Sequence, residues 1–378
     1  MIACKYRLRQ AQPTILTNLD SYLVKNGRFI KITGKMTKII DADLHNIVPD
    51  IDTLLPYMAE HWREYFGNSR FRGPLDATYP AGAETSLRPE ATEAAATTLA
   101  DVQQNVLDPL NIDIGILNCT YEVESLHNPD MAAACARAVN EWQAERWLAE
   151  DGRLRASIVI PSKVPALAVK EIEQWAKHPG FVQIFLPVRA QHLYGTRNFW
   201  PVLEAAVKHD LAICIHYGGA SGYPSTPTGW PSWHIEEYVG MAQVFQSQLI
   251  NLIVEGVFAQ FPTLRVVMAE GGWTWLPSLM WRLDKEWKGL RFEIPWVNTF
   301  PSDLIRKHVR FTLQPTDAPP DVKQLLQTIA QLESDELLLF STDYPHWHDS
   351  VAPLLDGLTP EQRQKIMGSN ATNFYQFL

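Results

Sequence analysis

The chain has 378 residues, of which 46% are hydrophobic and 20% are charged, a composition typical of a globular protein with a large core. The formal net charge is −9 and no Lys/Arg-rich block is present, which disfavours a nucleic-acid-binding protein. No run approaches the roughly 18 consecutive apolar residues of a membrane helix, and the first residues lack the apolar core of a secretory signal. We therefore expect a cytoplasmic protein with neither a nucleic-acid nor a membrane partner.

The first clear strand begins shortly after Met36. Residues 1–35 are predicted to be a loose, disordered N-terminal extension, or the product of a wrongly assigned start. Residues 36–378 are predicted to form one domain, because α/β barrels routinely exceed about 250 residues as a single unit.

Eight short, nearly continuously hydrophobic runs alternate with amphipathic helical segments from residue 38 onwards. The predicted strands span 38–45, 113–119, 155–161, 180–187, 211–217, 265–272, 309–315 and 337–345. The main helical segments span 128–151, 166–178, 199–210, 236–262, 318–332 and a closing segment that ends at 377. Such alternation gives right-handed βαβ units and a parallel sheet covered on both faces. Eight units without G-x-G-x-x-G after the first strand favour an α/β protein with a (β/α)8 (TIM) barrel.

The first β–α unit is interrupted by residues 46–92. This segment holds a predicted helix over 51–66 and a Gly/Pro-rich loop over 71–84. Because a long insertion on the C-terminal side of a barrel strand usually covers the active site, we predict a capping insertion after the first strand.

Ligand-type side chains lie at the C-terminal ends of several predicted strands, where the catalytic groups of a barrel collect. The first strand gives Asp43 and His45, which are two residues apart and therefore point the same way. The fifth strand gives His216, the sixth Glu270 and the eighth Asp343. An isolated strand-end His or Asp is more often a loop-anchoring group, but matching ends of three strands favour a metal site. We predict one divalent ion on Asp43, His45, His216 and Asp343, with zinc preferred and manganese also tolerated.

The motifs IIDADLH at 39–45, CIHYGG at 214–219 and FSTDYPH at 340–346, supported by segments 255–277 and 365–377, resemble a known group. The chain is similar to the amidohydrolase-related metal-dependent barrels, and in particular to the aminocarboxymuconate-semialdehyde decarboxylase-like branch. The resemblance covers essentially residues 37–378. It implies that Asp43 and His45 are the first ligand pair, that His216 is the strand-five ligand and that Asp343 is the strand-eight carboxylate.

The chain departs from the family pattern at two positions. It has Asp-x-His at 43–45 where His-x-His is usual, and Glu270 where decarboxylase relatives place a His. The resemblance implies non-oxidative decarboxylation of a small aromatic or unsaturated carboxylic acid, with Asp343 carrying the proton to the carbon. Glu270 keeps open the alternative of a hydrolase, in which metal-activated water attacks an ester, lactone or amide and Asp343 is the base. A barrel without catalysis would not need the four ligand-type residues.

Further residues are candidates for the chemistry. Glu270 is predicted to act as an acid or base in either reaction, although a salt-bridged structural role explains it equally well. His346 is predicted to reach the substrate from the same loop as Asp343, whereas His348 is expected to be solvated. Arg72, in the insertion, and Arg197, after the fourth strand, are candidates for gripping a substrate carboxylate, although each type of residue is more often structural.

The expected partners are a small carboxylic-acid substrate and a second copy of the chain. Relatives implied by the resemblance are often dimers, and the Trp-rich segment 273–287 is a candidate interface, so we predict a homodimer.

Overall fold

A computed structural model of the protein describes residues 38–74, 95–219 and 229–377. Eight parallel strands form one sheet in which each strand pairs with the next along the chain. The strands are β1 Ile40–Leu44, β2 Ile114–Leu117, β3 Leu154–Val159, β4 Phe181–Arg189, β5 Ala212–Gly219, β6 Val266–Ala269, β7 Val309–Thr312 and β8 Leu338–Leu339. Each overlaps a predicted strand, and the TIM-barrel prediction is confirmed.

The barrel closes between β1 and the segment that follows β8. A parallel bridge joins Leu44 to Tyr344. The amide of Ala42 donates to the carbonyl of Phe340 at 2.9 Å, and the amide of His45 donates to the carbonyl of Tyr344 at 2.9 Å. Because β8 itself is only two residues long, this irregular segment completes the barrel wall.

Helices connect the strands and form the outer layer. They are α1 Glu60–Asn68, α2 Leu99–Val102, α3 Pro129–Gln143, α4 Pro165–Trp175, α5 Trp200–Lys208, α6 His234–Val254, α7 Val257–Gln260, α8 Leu276–Leu290, α9 Pro301–His308, α10 Val322–Gln331, α11 Ala352–Gly357, α12 Pro360–Gln364 and α13 Asn370–Tyr375. Each predicted helical segment overlaps at least one of them. At the start of α3, the Asn128 side chain accepts hydrogen bonds from the amides of Asp130 and Met131, and Pro129 takes the first turn, where no amide donor is needed. No helix in the described ranges is long and apolar enough to cross a membrane.

The interior of the barrel is a separate apolar cluster. Small and branched side chains of the strands fill it, and α13 covers its lower end, where the strands begin. That placement follows from two contacts. The Arg265 guanidinium, just before β6, donates to the carbonyl of Phe374, and the side-chain amide of Asn370 donates to the carbonyl of Leu338 at 2.9 Å. The members are Ile40, Ala42, Ile114, Ile116, Ala212, Cys214, Val267, Ala269, Leu339, Ala371, Phe374 and Tyr375.

The insertion after β1 is less regular than predicted. The expected helix over 51–66 is divided into two 3-10 turns, Ile51–Thr53 and Leu55–Tyr57, followed by α1. Pro56 lacks an amide hydrogen and so cannot donate within a continuous α-helix, which explains the break. Residues 75–92 of the predicted capping insertion, and the predicted extension at 1–35, lie outside the described residues.

One buried ion pair joins the barrel to the outer layer. Arg189 at the end of β4 contacts Glu237 of α6 at 2.5 Å, and both side chains are almost fully buried. Removing one partner of a buried pair leaves the other charge in a low-dielectric environment.

We expect Glu237→Ala to reduce the free energy of unfolding by about 3–5 kcal/mol, because Arg189 loses its buried carboxylate. Urea denaturation followed by circular dichroism measures the loss. The matched control is Glu286→Ala, which breaks the exposed Lys285–Glu286 pair. This change should reduce the free energy of unfolding by less than about 1 kcal/mol. Equal losses in the two variants would contradict the structural role of the Arg189–Glu237 pair.

Candidate metal centre

The four side chains predicted to bind a metal converge at the C-terminal ends of the strands. Nε2 of His45 lies 2.8 Å from Oδ1 of Asp343, and Nε2 of His216 lies 3.2 Å from Oδ1 of Asp43. Potential ligand atoms of Asp43, His45 and His216 lie within 4.8 Å of one another. All four side chains are at most 1% exposed, so they form one buried polar cluster at the mouth of the barrel.

Barrel closure places Asp343 beside the first strand. The amide of Asp343 donates to the carbonyl of Asp43 at 3.0 Å. Asp41 strengthens this junction, because its Oδ2 accepts from the Thr342 hydroxyl at 2.7 Å and its Oδ1 accepts from the amides of Asp43 and Thr342. Burial raises the pKa of Asp41 to about 7, against the opposing effect of these bonds. Asp41 is therefore an anchor that fixes the register between β1 and the loop that carries Asp343.

In His45 and in His216, Nδ1 takes part in a hydrogen bond to a backbone carbonyl, and Nε2 is the nitrogen that can bind a metal ion. Nδ1 of His45 lies 3.0 Å from the carbonyl of Asn118, and Nδ1 of His216 lies 2.9 Å from the carbonyl of Tyr217. A carbonyl oxygen can only accept, so each Nδ1 carries a hydrogen. When the rings are neutral, each Nε2 presents its lone pair to the centre of the cluster, as a metal ligand must.

The cluster carries more buried carboxylate than its hydrogen bonds satisfy. Oδ2 of Asp43 and Oε2 of Glu270 have no hydrogen-bond donor among the described residues. Isolated buried carboxylate oxygens are costly unless a proton or a cation compensates them. Two imidazole nitrogens and several carboxylate oxygens form a donor set that suits zinc and manganese. The residues therefore fit a divalent ion.

The pKa shifts in the cluster also reflect its excess of negative charge. Burial alone would lower the pKa of His216, but the charge and hydrogen bond of Asp43 and the charge of Glu270 raise it to about 9. Burial lowers the pKa of His45. Burial, with the nearby charge of Asp343, raises the pKa of Glu270 well above its usual range.

The loop after β8 surrounds Asp343 with imidazoles. Nδ1 of His346 lies 3.1 Å from Oδ1 of Asp343, and Nε2 of His348 lies 2.5 Å from Oδ2. Burial alone would raise the pKa of Asp343, but the charge of His346 and the hydrogen-bonding contacts with His346, His348 and His45 hold it well below its usual range. The expectation that His348 is solvated is wrong: its side chain is 10% exposed, because the chain turns back over Asp343.

Glu270 and Asp343 both have left-handed backbone conformations. Their φ angles are 60° and 55°, values that cost about 1–3 kcal/mol for a residue other than glycine. The amide of Glu270 is held by the hydroxyl of Thr312 at 2.9 Å. Its carboxylate lies 3.7 Å from Nε2 of His216 through Oε2 and 3.7 Å from Nδ1 of His346 through Oε1. Glu270 therefore belongs to the same cluster.

Sequence reasoning missed several residues that touch the cluster. Nδ2 of Asn118, the residue that follows β2, donates to Oδ1 of Asp43 at 2.7 Å. The ring of Phe185 packs against His216 with their centroids 5.3 Å apart and forms an apolar side of the mouth. Asn118 stands at a strand end like the predicted ligands, and that position was the signal available in the sequence.

The two arginines predicted to bind a carboxylate have other partners. Nη1 of Arg72 donates to the carbonyl of Phe71 at 3.0 Å, and the guanidinium of Arg197 lies 3.8 Å from the ring centroid of Trp200. Both arginines are exposed, and none of the contacts described for them reaches the cluster. Their role in substrate binding stays a prediction.

Comparison with known proteins places this arrangement in a family. The amidohydrolase family model matches residues 40–377. The chain belongs to the amidohydrolase family. This confirms the enzyme class, and the following relatives confirm the resemblance to the aminocarboxymuconate-semialdehyde decarboxylase-like branch.

Two relatives are similar in sequence. Gamma-resorcylate decarboxylase of Polaromonas sp. is 24% identical over 298 residues, which cover 74% of this chain and 88% of that protein. The 2-amino-3-carboxymuconate-6-semialdehyde decarboxylase of Dictyostelium discoideum is 22% identical over 283 residues, which cover 72% of this chain and 76% of that protein.

Solved structures of similar fold include two decarboxylases. One is dihydroxybenzoic acid decarboxylase from Polaromonas sp., with bound manganese and 2-nitroresorcinol. It superposes with a TM-score of 0.65 and 21% sequence identity, and the match covers 90% of this chain and 97% of that chain. The other is 5-carboxyvanillate decarboxylase from Sphingomonas paucimobilis. It superposes with a TM-score of 0.70 and 18% sequence identity, and the match covers 90% of this chain and 100% of that chain.

We expect His216→Ala to lower the bound divalent metal well below the roughly one ion per chain of a single four-ligand site. Plasma emission analysis after dialysis against manganese or zinc measures the content. The control is His61→Ala, which removes an exposed imidazole of α1 and should leave the content unchanged. Full occupancy in His216→Ala would show that the ion binds elsewhere.

Proposed function

We propose that this protein is a metal-dependent, non-oxidative decarboxylase of a small aromatic or unsaturated carboxylic acid. The observation that carries the proposal is a cluster of ligand-type side chains in a barrel whose sequence relatives are decarboxylases. Two groups of potential metal ligands share His45: one also contains Asp43 and His216, and the other also contains Glu270, Asp343 and His346. Zinc remains the first expectation from the ligand types, and manganese is the ion named for relatives of known structure.

Asp43, His45, His216 and Asp343 would hold the ion, and their buried position would exclude water from it. When bound, a divalent ion withdraws electron density from the substrate oxygens next to the scissile bond. The ring of Phe185 beside His216 offers an apolar surface for an aromatic or unsaturated substrate. The chain would thus fix the carboxylate end of the substrate at the mouth of the barrel.

Decarboxylation has a proton balance that the protein must meet. The bond between the carboxyl carbon and its neighbour breaks, carbon dioxide leaves, and the electron pair stays on the neighbouring carbon. That carbon takes one proton, which the protein must recover from solvent in each turnover.

The loop after β8 provides a route for that proton. His346 is 16% exposed at its side chain and lies within 3.1 Å of Asp343 and 3.7 Å of Glu270. We assign Asp343 as the group through which the proton passes to carbon. Glu270, whose pKa is raised by burial, and His346 are the groups that supply this proton. Hydrolysis would instead use Asp343 to remove a proton from water. The decarboxylase relatives favour the lyase.

A substrate panel tests the proposal. We expect carbon dioxide release from at least one of 2,6-dihydroxybenzoate, 5-carboxyvanillate and 2-amino-3-carboxymuconate-6-semialdehyde, compounds named for the relatives. In deuterium oxide the product should carry one deuterium at the carbon that lost the carboxyl group. Metal removal with a chelator should abolish the release, and zinc or manganese should restore it. Hydrolysis of an ester or lactone panel without carbon dioxide release would replace the lyase by the hydrolase.

Glu270→Gln should lower kcat by about 10²- to 10⁴-fold, because the amide keeps the shape of the side chain but cannot carry a proton. Metal content should remain at the wild-type value, which separates proton transfer from metal binding. Glu270→His is the matched variant, since an imidazole can carry a proton, and it should retain much more activity than Glu270→Gln. Equal activity of wild type and Glu270→Gln would remove Glu270 from the proton route.

The homodimer remains a prediction that sedimentation analysis can test. Within the predicted Trp-rich segment 273–287, Trp281 is 55% exposed, whereas Trp273 is fully buried.

A further inference from the structure

A chain of polar side chains runs through the otherwise apolar interior of the barrel. Asn118, Ser157 and Gln183 are each 0% exposed, and they come from β2 or its end, from β3 and from β4. Tyr375, the last residue of α13, joins them from the lower end of the barrel. Polar groups at such depth are retained at a cost unless they are bonded to one another.

Every donor in this chain of side chains points toward Asp43. The Tyr375 hydroxyl donates to Oε1 of Gln183 at 2.7 Å. Nε2 of Gln183 donates to Oδ1 of Asn118 at 3.0 Å and to Oγ of Ser157 at 2.8 Å, and the Ser157 hydroxyl also donates to Oδ1 of Asn118. Nδ2 of Asn118 then donates to Oδ1 of Asp43 at 2.7 Å. Bonds aligned in one direction polarise each other and favour negative charge at the end that accepts.

Asn118 holds both side chains from the first strand. Its side-chain amide donates to Asp43, and its backbone carbonyl accepts from Nδ1 of His45 at 3.0 Å. Its own side-chain oxygen is fixed by Gln183 and Ser157, so the amide cannot turn its oxygen toward Asp43 without breaking those bonds. The orientation of the amide thus depends on groups farther down the barrel.

We propose that Asn118, Ser157, Gln183 and Tyr375 are positioning residues that couple the C-terminal helix to the metal centre at the opposite end of the barrel. The inference rests on the proposed metal site. Side chains at the lower end of the barrel fix the orientation of the Asn118 amide that donates to Asp43. This orientation in turn affects how tightly the upper end of the barrel binds a divalent ion. Residues that orient metal ligands typically affect metal affinity by about 10- to 100-fold.

Metal affinity of three variants tests the coupling. Asn118→Ala removes the donor to Asp43, Tyr375→Phe removes the far end of the chain of bonds, and the double variant combines them. Tyr194→Phe is the matched control, because it removes another buried hydroxyl, which donates to the carbonyl of Pro187 at 2.6 Å and takes no part in the chain. Calorimetric titration with Mn²⁺ gives the Kd of each full-length protein, and thermal unfolding without metal gives its stability.

We expect Asn118→Ala to weaken Mn²⁺ binding by about 10- to 100-fold and Tyr375→Phe by a smaller factor, because more bonds separate Tyr375 from Asp43. Tyr194→Phe should lower the unfolding temperature yet leave the Kd within about 2-fold of wild type, since its bond is outside the chain. In the Asn118→Ala background, Tyr375→Phe should have no further effect on the Kd, because the connection to Asp43 is already absent.

An unchanged Kd in Tyr375→Phe would show that Tyr375 has only a structural role and would overturn the coupling. This variant gives that answer even if Asn118→Ala fails to fold. A full effect of Tyr375→Phe in the Asn118→Ala background would also overturn it, because the effect would then travel by another route. Wild-type protein that bound no divalent ion would overturn the metal centre and the coupling together. Normal Mn²⁺ binding without decarboxylation would overturn only the proposed reaction.

Discussion

The junction between the first strand and the loop after the last strand is the constraint on which the site depends. The amide of Asp343 bonds to the carbonyl of Asp43, and the amide of His45 bonds to the carbonyl of Tyr344. These two bonds close the barrel and at the same time set the distance between carboxylates that are 300 positions apart in the chain. Asp41 reinforces the junction through Thr342. Closure of the barrel in this register therefore brings Asp43 and Asp343 side by side.

The strand-end residues were predictable because a parallel barrel obliges all strands to end at one face. Asp43, His45, His216 and Asp343 each stand at such an end, and their residue types favour metal binding. The chain of bonds that ends at Tyr375 was not predictable, because it depends on which side chains from β2, β3 and β4 reach the same level inside the barrel. Likewise, the contact of His348 with Asp343 depends on the path of an irregular loop, for which the sequence has no periodic signal.

Two opposing demands act on the first-strand carboxylate. Asp43 must stay ionised to hold a cation, yet it lies in an interior where an isolated charge is strongly disfavoured. The donor from Asn118 offsets part of this cost without neutralising the charge. His216 offsets another part: burial alone would lower its pKa, but Asp43 and Glu270 raise the pKa to about 9, which favours a positive charge beside the carboxylate. Ligands poised in this way release a proton when they bind a metal.

The carboxylate at the end of β6 changes how the site can manage protons. Where decarboxylase relatives are expected to carry a His, this chain has Glu270, and the loop after β8 brings His346 within 3.7 Å of it. In this chain an imidazole therefore lies beside a carboxyl group at the end of β6. A Glu–His pair can accept a proton on the partly exposed ring and hold it on the buried carboxyl, whereas a single His must do both. In the proposed reaction, the proton transfer that the resemblance assigns to a strand-six His would be shared by Glu270 and His346, which the fold brings within 3.7 Å of each other.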